Sequence, residues 1–416
     1  MQKTWVGEEK IKTEDLRIKI RKRGERMSGA IELVQNEYLI KEFIKTVKKR
    51  NEQFLKNKTS PIIGWCNTYV PEEIILAFGI TPYRIMGAPT SISLSKAYLC
   101  GNISGNVQSL LECALRGDYK FLDGMIIGAS TDATKKLFDA WLRYAGTPFN
   151  HLFDIPKFIY EGVYKHYRES INSLVEEIEA HFGNKITESS LKEAILVCNK
   201  TRVLLTALSN LRKDNNPPIS SLEMLEICKL AMVSDKRFFN TELESLLAKI
   251  KITDIKNSAY RILLTGSFQD QPWLLESIEE NNALVVCEDL CTGLRYYTGL
   301  VDEDVEPIEA ITKRYIEKKP PSATLVSIDQ RADFIFKLIN EFKIDGVVYH
   351  ILKFDDPYLF EFPDMKEFLE SKFIPMLRIE TEYTTSTMGQ VKTRLQAFIE
   401  TLKFTKYRKI EVDKNG

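Results

Sequence analysis

The feature that most constrains this chain is a texture that occurs twice. From residue 58 to about 160, short apolar runs alternate with helical patterns: PIIGWCNTYV, PEEIILAFG, YRIMGA and, after a long helical stretch, FLDGMIIGAS. From Tyr260 the alternation starts again with RILLTGS, a helix through Leu274 to Glu280, ALVVCED, IDGVVYHILKF and IPMLRIETE. Short apolar runs separated by helices are the signature of parallel strands buried on both faces. Two such blocks predict an α/β chain with two doubly wound domains facing each other across a cleft. In sheets of this kind ligands collect beyond the carboxyl ends of the strands, where loops and helix N-termini converge.

Residues 161–256 carry helical stripes instead, among them Ile171, Leu174, Val175 and Ile178, with the polar break RKDNNPPISS at 212–221. This reads as a helical insert or linker between the first α/β domain (58–160) and the second (257–416). Residues 1–57 read as a helical extension with a basic stretch from Arg17 to Arg26, and VKTRLQAFIETLKF as the last helix. Pro71 followed by Glu72 and Glu73 marks a helix start, since proline suits the first turn and carboxylates favour the positive end of the dipole. Gly79 then stops that helix.

Charge excludes one class of function. The 58 Lys and Arg balance 58 Asp and Glu among 416 residues, which argues against a nucleic-acid or acidic-membrane binder working by bulk charge. No apolar run is long enough to span a membrane, and the charged N-terminus lacks the apolar core of a secretory signal, so the chain reads as cytoplasmic. Seven cysteines, an odd number, read as reduced thiols.

Generic motifs are absent: no Walker loop, no G-x-G-x-x-G after a strand, no H-E-x-x-H, no G-x-S-x-G. Cys287 and Cys291 in VVCEDLCTG have a spacing at which two thiols share a metal, but with no second pair Cys287 reads as a small buried hydrophobe. Cys113, Cys198 and Cys228 sit in helical stripes and read as core.

A series of longer words goes further. GWCNTYVPEEIILAFGITPYRIMGAP, SLLECALRGDYKFLDGMIIGASTDATKKLFD, RILLTGS, VVCEDLCTGLRYY, DGVVYHILKFDDPYLFEFPDMKEFLE and IPMLRIETEYTTSTMGQVKTRLQAFIE follow one another from about residue 60 to 402. In this order they resemble the 2-hydroxyacyl-CoA dehydratase and benzoyl-CoA reductase subunit family, in the layout of its smaller, β-type subunit. The resemblance implies two Rossmann-like domains, a heterodimer with an α-type subunit, and a 4Fe-4S iron–sulfur cluster beside an acyl-CoA thioester. It also implies a separate ATP-dependent iron–sulfur activator that supplies a low-potential electron, and anaerobic metabolism as the setting. An electron added to the thioester carbonyl gives a ketyl radical that expels hydroxide from a (R)-2-hydroxyacyl-CoA. In the reductase branch the same apparatus drives electrons into an aromatic ring.

Relatives of this kind hold the cluster with three cysteines, and here the three words differ. KFDDP puts Asp355 where K-F-C-D-P has its cysteine; the second position falls on Ser104, with Cys100 four residues earlier; the first falls on Asn67, with Cys66 beside it. Two readings follow. Either a shifted set of Cys66, Cys100 and Asp355 holds a cluster, Cys100 and Ser104 sharing a helix face, or this subunit has no cluster and shapes the site for its partner. Thiolates are the usual holders of such clusters. For catalysis the resemblance and the pattern point to Glu73, at the helix start, and Glu380, at the carboxyl end of IPMLRI, with Glu72, Asp132, Gln390, Arg394 and Arg84 as further carry-overs. A double-cubane-type reductase and a clusterless acyl-CoA-binding scaffold are the alternatives.

Overall fold

The computed structural model describes residues 32–88, 92–252, 259–318, 327–384 and 387–415, the last of these with side chains only to residue 403. The basic stretch Arg17 to Arg26 lies outside the described residues. A first helix, α1, spans 32–56. The first α/β block runs β1 (Ile62–Cys66), α2 (Glu72–Ala77), β2 (Thr81–Arg84), α3 (Gly105–Arg116), β3 (Gly124–Ala129), α4 (Asp132–Ala140) and β4 (Phe149–Asp154). Four long helices follow: α5 (Val163–Phe182), α6 (Glu188–Asn210), α7 (Ser221–Val233) and α8 (Lys236–Leu247). The second block contains β5 (Tyr260–Gly266), α9 (Pro272–Glu279), β6 (Ala283–Asp289), α10 (Leu294–Tyr297), α11 (Pro307–Ile316) and α12 (Ile328–Glu341). It closes with β7 (Gly346–Leu352), α13 (Asp356–Ser371), β8 (Met376–Thr381) and α14 (Met388–Asn415).

The fold is α/β with two four-stranded parallel sheets, ordered β2-β1-β3-β4 and β6-β5-β7-β8. The two orders are the same. In each, the chain steps outward from the first strand and then reverses to its other side, so a crevice opens at the strand ends between β1 and β3 and between β5 and β7. The central strands IIGWC, GMIIGA and GVVYHIL are buried along their whole length, as strands covered on both faces must be.

One strand has no counterpart in the sequence pattern. FNHLFD forms β4 at the edge of the first sheet, with alternating burial, so it carries no apolar run to announce it.

Alternation along the strands sorts the side chains into three cores. Ile62, Cys66, Met125 and Ile127 face α3 and α4. Ile262, Leu264, Val348 and Ile379 face α9 and α14. Ile63, Trp65, Leu263, Val286 and Val347 face one shared core that also takes in α5 to α8. The helical segment therefore packs against both sheets.

Buried ion pairs reinforce that packing: Arg202 of α6 pairs with Glu73, Lys236 of α8 with Glu72 at 2.7 Å, and Arg212 with Glu288 of β6 at 2.5 Å. Helix α1 docks on the same segment, with Phe43 edge-on to Phe239 at 5.8 Å and Asn51 bonded to Ser234 at 2.8 Å.

Candidate functional site

A cleft of about 780 Å³, including the part open to solvent, lies where the carboxyl ends of the two sheets meet. The first sheet contributes the turn after β1 (Cys66 to Tyr69), Arg84 at the end of β2, and Ser130 and Thr131 after β3. The second contributes Phe268 after β5, Cys291 after β6, and Asp355 with Tyr358 after β7. Both switch points thus open into one space.

Three helices begin at its wall. Ser104 is the N-cap of α3, Thr131 caps α4 in a reciprocal capping box with Thr134, and Asp355 is the N-cap residue of α13. Their amide ends turn positive potential toward the cleft.

The turn after β1 is built tightly. Asn67 sits at φ +92 and uses its side chain twice: Nδ2 donates to Ser130 at 2.6 Å and Oδ1 accepts from the Tyr69 amide at 3.0 Å. Asparagine tolerates this left-handed conformation better than most residues. Next to it the carbonyl of Thr68 accepts from Nζ of the buried Lys318 at 2.8 Å, and the rings of Tyr69 and Tyr315 flank that ammonium. Burial holds the Lys318 amine well below its ordinary pKa.

Of the three ligands expected from the sequence, the structure brings Cys66 and Asp355 into the cleft and leaves Cys100 outside it, exposed. The shared helix face expected of Cys100 and Ser104 does not form, because α3 starts only at Gly105 and Cys100 lies in the turn before it. Ser104 itself reaches the cleft.

Cys291 joins Cys66 and Asp355 there, 4.0 Å from the Thr68 hydroxyl. The signal for it was the Cys287–Cys291 spacing, yet Cys287 points into the core and only Cys291 reaches the site.

These donors do not fit a cluster held by three thiolates. Among the described residues no three of His, Cys, Asp and Glu are grouped as metal ligands. Burial pushes the Cys66 thiol up to about 11, against the pull of Arg84.

The expected catalytic carboxylates lie elsewhere. Glu73 is fully buried on α2, paired with Arg202 and accepting from the Tyr315 hydroxyl at 2.9 Å. Burial by itself would raise its pKa; Arg202 and Arg314 instead hold it down at about 2. This pair ties α2 to the helical segment.

Glu380 is exposed and pairs with Arg378 at 2.7 Å. Its neighbours Ile379 and Thr381 turn inward, so period-two alternation turns Glu380 outward. Glu72 is spent on Lys236, Arg394 donates to the Arg378 carbonyl, and Asp132 and Gln390 are exposed on their helices. Arg84 does line the cleft.

Asp355 is the titratable acid of the site. Burial raises its carboxyl from 3.8 to about 6, although Ser267 donates to it and Arg295 lies near. An acid whose pKa is higher folded than unfolded favours the fold below the lower value, and that advantage is lost as pH rises through the upper one. Asp355→Asn is therefore expected to stabilise the chain by up to about 3 kcal/mol above pH 6 and by nothing below about pH 3. Urea midpoints of the two proteins across that range measure it.

The comparisons with known proteins follow the same stretch of chain. The model of the family described as 2-hydroxyglutaryl-CoA dehydratase, D-component, matches residues 67–402. The chain is 29% identical over 372 residues to the (R)-phenyllactyl-CoA dehydratase beta subunit of Clostridium sporogenes, covering 87% of this chain and 97% of that one. It is 24% identical to the (R)-2-hydroxyglutaryl-CoA dehydratase subunit beta of Acidaminococcus fermentans, over 88% of this chain and 99% of the relative. It is 23% identical to one of the subunits of the benzoyl-CoA reductase of Thauera aromatica, over 82% and 91%. With the match running from the turn after β1 into α14, and so through every cleft residue except Cys66, the chain belongs to the 2-hydroxyglutaryl-CoA dehydratase D-component family.

Proposed function

We propose that this chain is the β-type subunit of a two-subunit, cytoplasmic enzyme that removes water from a (R)-2-hydroxyacyl-CoA. Its partners are an α-type subunit and an ATP-dependent iron–sulfur activator. The observation that carries the reading is the cleft itself, formed by the strand ends of both sheets and, but for Cys66, by residues of the matched stretch. In this reading the two sheets belong to two Rossmann-like domains that face each other across the cleft, and the acyl thioester is taken up between them.

The chain's own residues then do three things. The packed turns after β1 and β5 exclude water. The N-termini of α3 and α4 orient electron-rich oxygens. Asp355 retains a proton into the weakly acidic range at the wall. The 4Fe-4S cluster and the radical chemistry are assigned to the α-type partner, since the donors here do not fit such a group.

The test is assembly without oxygen of the chain, its partner and the activator, with iron and sulfide measured on each. The expected result is enoyl-CoA formation by the complex alone, with iron on the partner. About four irons on this chain, lost in Cys66→Ser, would replace this reading with a relocated cluster. Tight acyl-CoA binding by a complex that never turns over would make the chain a non-catalytic scaffold.

A further inference from the structure

Arg84 is the most unusual side chain of the cleft. It ends β2, is 4% exposed, and lines the open space beside Cys66 and Ser104. Its guanidinium carbon lies over two aromatic rings from opposite halves of the chain, 4.7 Å from the Trp65 centroid and 5.3 Å from that of Phe268. Its Nε and Nη1 have no hydrogen-bond partner.

No carboxylate among the described residues pairs with it. The acid close enough to be felt, Asp270, is engaged by the Tyr383 hydroxyl at 2.6 Å and by Gln271 at 2.8 Å. The other buried arginines are all engaged: Arg202, Arg212, Arg295 and Arg331 are each paired with a carboxylate, and Arg314 donates to the carbonyls of Tyr296, Thr298 and Gly299.

A buried cation without a partner is strongly unfavourable. The two rings cover the guanidinium but leave its Nε and Nη1 without an acceptor. A guanidinium with no partner in the protein matches a planar or tetrahedral oxyanion. The same space receives the N-termini of α3 and α4, which favour negative charge. We propose that the cleft holds an oxyanion, a carboxylate or phosphate group, on the guanidinium of Arg84, in the space that also receives the N-termini of α3 and α4.

The inference rests on this geometry and not on the dehydratase reading. The oxyanion has two sources: a free anion or a carboxylate carried by a bound acyl-CoA.

The experiment titrates the full-length chain with inorganic phosphate at constant ionic strength, then with butyryl-CoA and succinyl-CoA, following Trp fluorescence and the melting temperature. Trp65, whose ring lies under the Arg84 guanidinium, is a built-in reporter. Saturable stabilisation by phosphate identifies the free anion. Succinyl-CoA binding about tenfold or more tighter than butyryl-CoA identifies the ligand-borne carboxylate. In either case Arg84→Met abolishes the response yet melts no lower than the parent in anion-free buffer, because it removes an unpaired buried charge. Arg84→Lys, which keeps the charge but not the fork, weakens binding about tenfold.

Absence of any saturable response in the parent chain, an Arg84→Met chain that still responds, or iron bound beside Cys66 in place of the anion overturns the proposal. Phosphate binding in a chain indifferent to both acyl-CoAs keeps it and identifies the ligand as a free anion, while the dehydratase reading is decided by turnover in the complex.

Discussion

Replacing Asp289 with Ala is expected to destabilise the fold by about 3–5 kcal/mol, the effect of stripping the shared partner from buried charges. Asp289 ends β6 with no exposure. Its carboxylate takes Arg295 through Nε at 2.9 Å and Nη2 at 2.8 Å, Arg331 at 2.5 Å, and the Thr265 hydroxyl at 2.6 Å. Burial alone would raise its pKa; Arg295 and Arg331 overcome that and hold it at about 2. Its folded pKa is below the ordinary 3.8, so its stabilisation is complete above that value and is lost as pH falls through about 2. The gap in urea midpoint between the variant and its parent should therefore be widest near neutral pH and narrow in strong acid. A gap that ignores pH would show that the arginines do not depend on Asp289. The change also reaches the cleft, because Arg295 donates to the Gly266 carbonyl at 3.0 Å and to the hydroxyl of Tyr358, a wall residue.

Gly266→Ala should be at least as damaging, by about 3–5 kcal/mol or by loss of soluble protein, as strain and overpacking combine. Gly266 closes β5 at φ +119, where side chains are rarely tolerated, and an added Cβ would lie 1.9 Å from the carbonyl oxygen of His350 in β7. That oxygen cannot retreat freely, for it already accepts the Ser267 amide at 2.8 Å, while the Ser267 hydroxyl takes the Leu352 amide at 2.9 Å. The methyl would push β5 from β7 at the crevice that receives Phe268 and Asp355. Circular dichroism and thermal melting read the loss. A Gly266→Ala chain that melts with its parent would mean that the β5 end has room the structure does not show.

Both sites lie at strand ends, and neither announces its role in the chain. VVCEDLC shows a strand followed by acids, but nothing in it tells Asp289, which neutralises two arginines more than five residues away, from Glu288, which pairs with Arg212. Glu73 shows the same limit in reverse. At a helix start beside a strand it looks like a site acid, and a guanidinium 129 residues further along claims it. Cys100 falls outside the site because the apolar pattern before Gly105 does not reveal that the helix begins only there.

What could be read without coordinates is what depends on neighbours along the chain. Continuous apolar runs separated by helical stripes require parallel strands covered on both faces, and repeating the pattern around a strandless stretch requires two sheets with helices between them. The order of six words was enough for the family. Folding in space decided the rest. The stretch read as an insert or linker became part of a core shared by both sheets, since α5 to α8 can bury their apolar stripes only against Trp65, Leu263 and their neighbours. The cleft gathers Cys66, Arg84, Cys291 and Asp355 from four strand ends scattered over 290 positions. Burial and charge pairing, which turn a residue type into a site, act between groups that meet only after both sheets have formed.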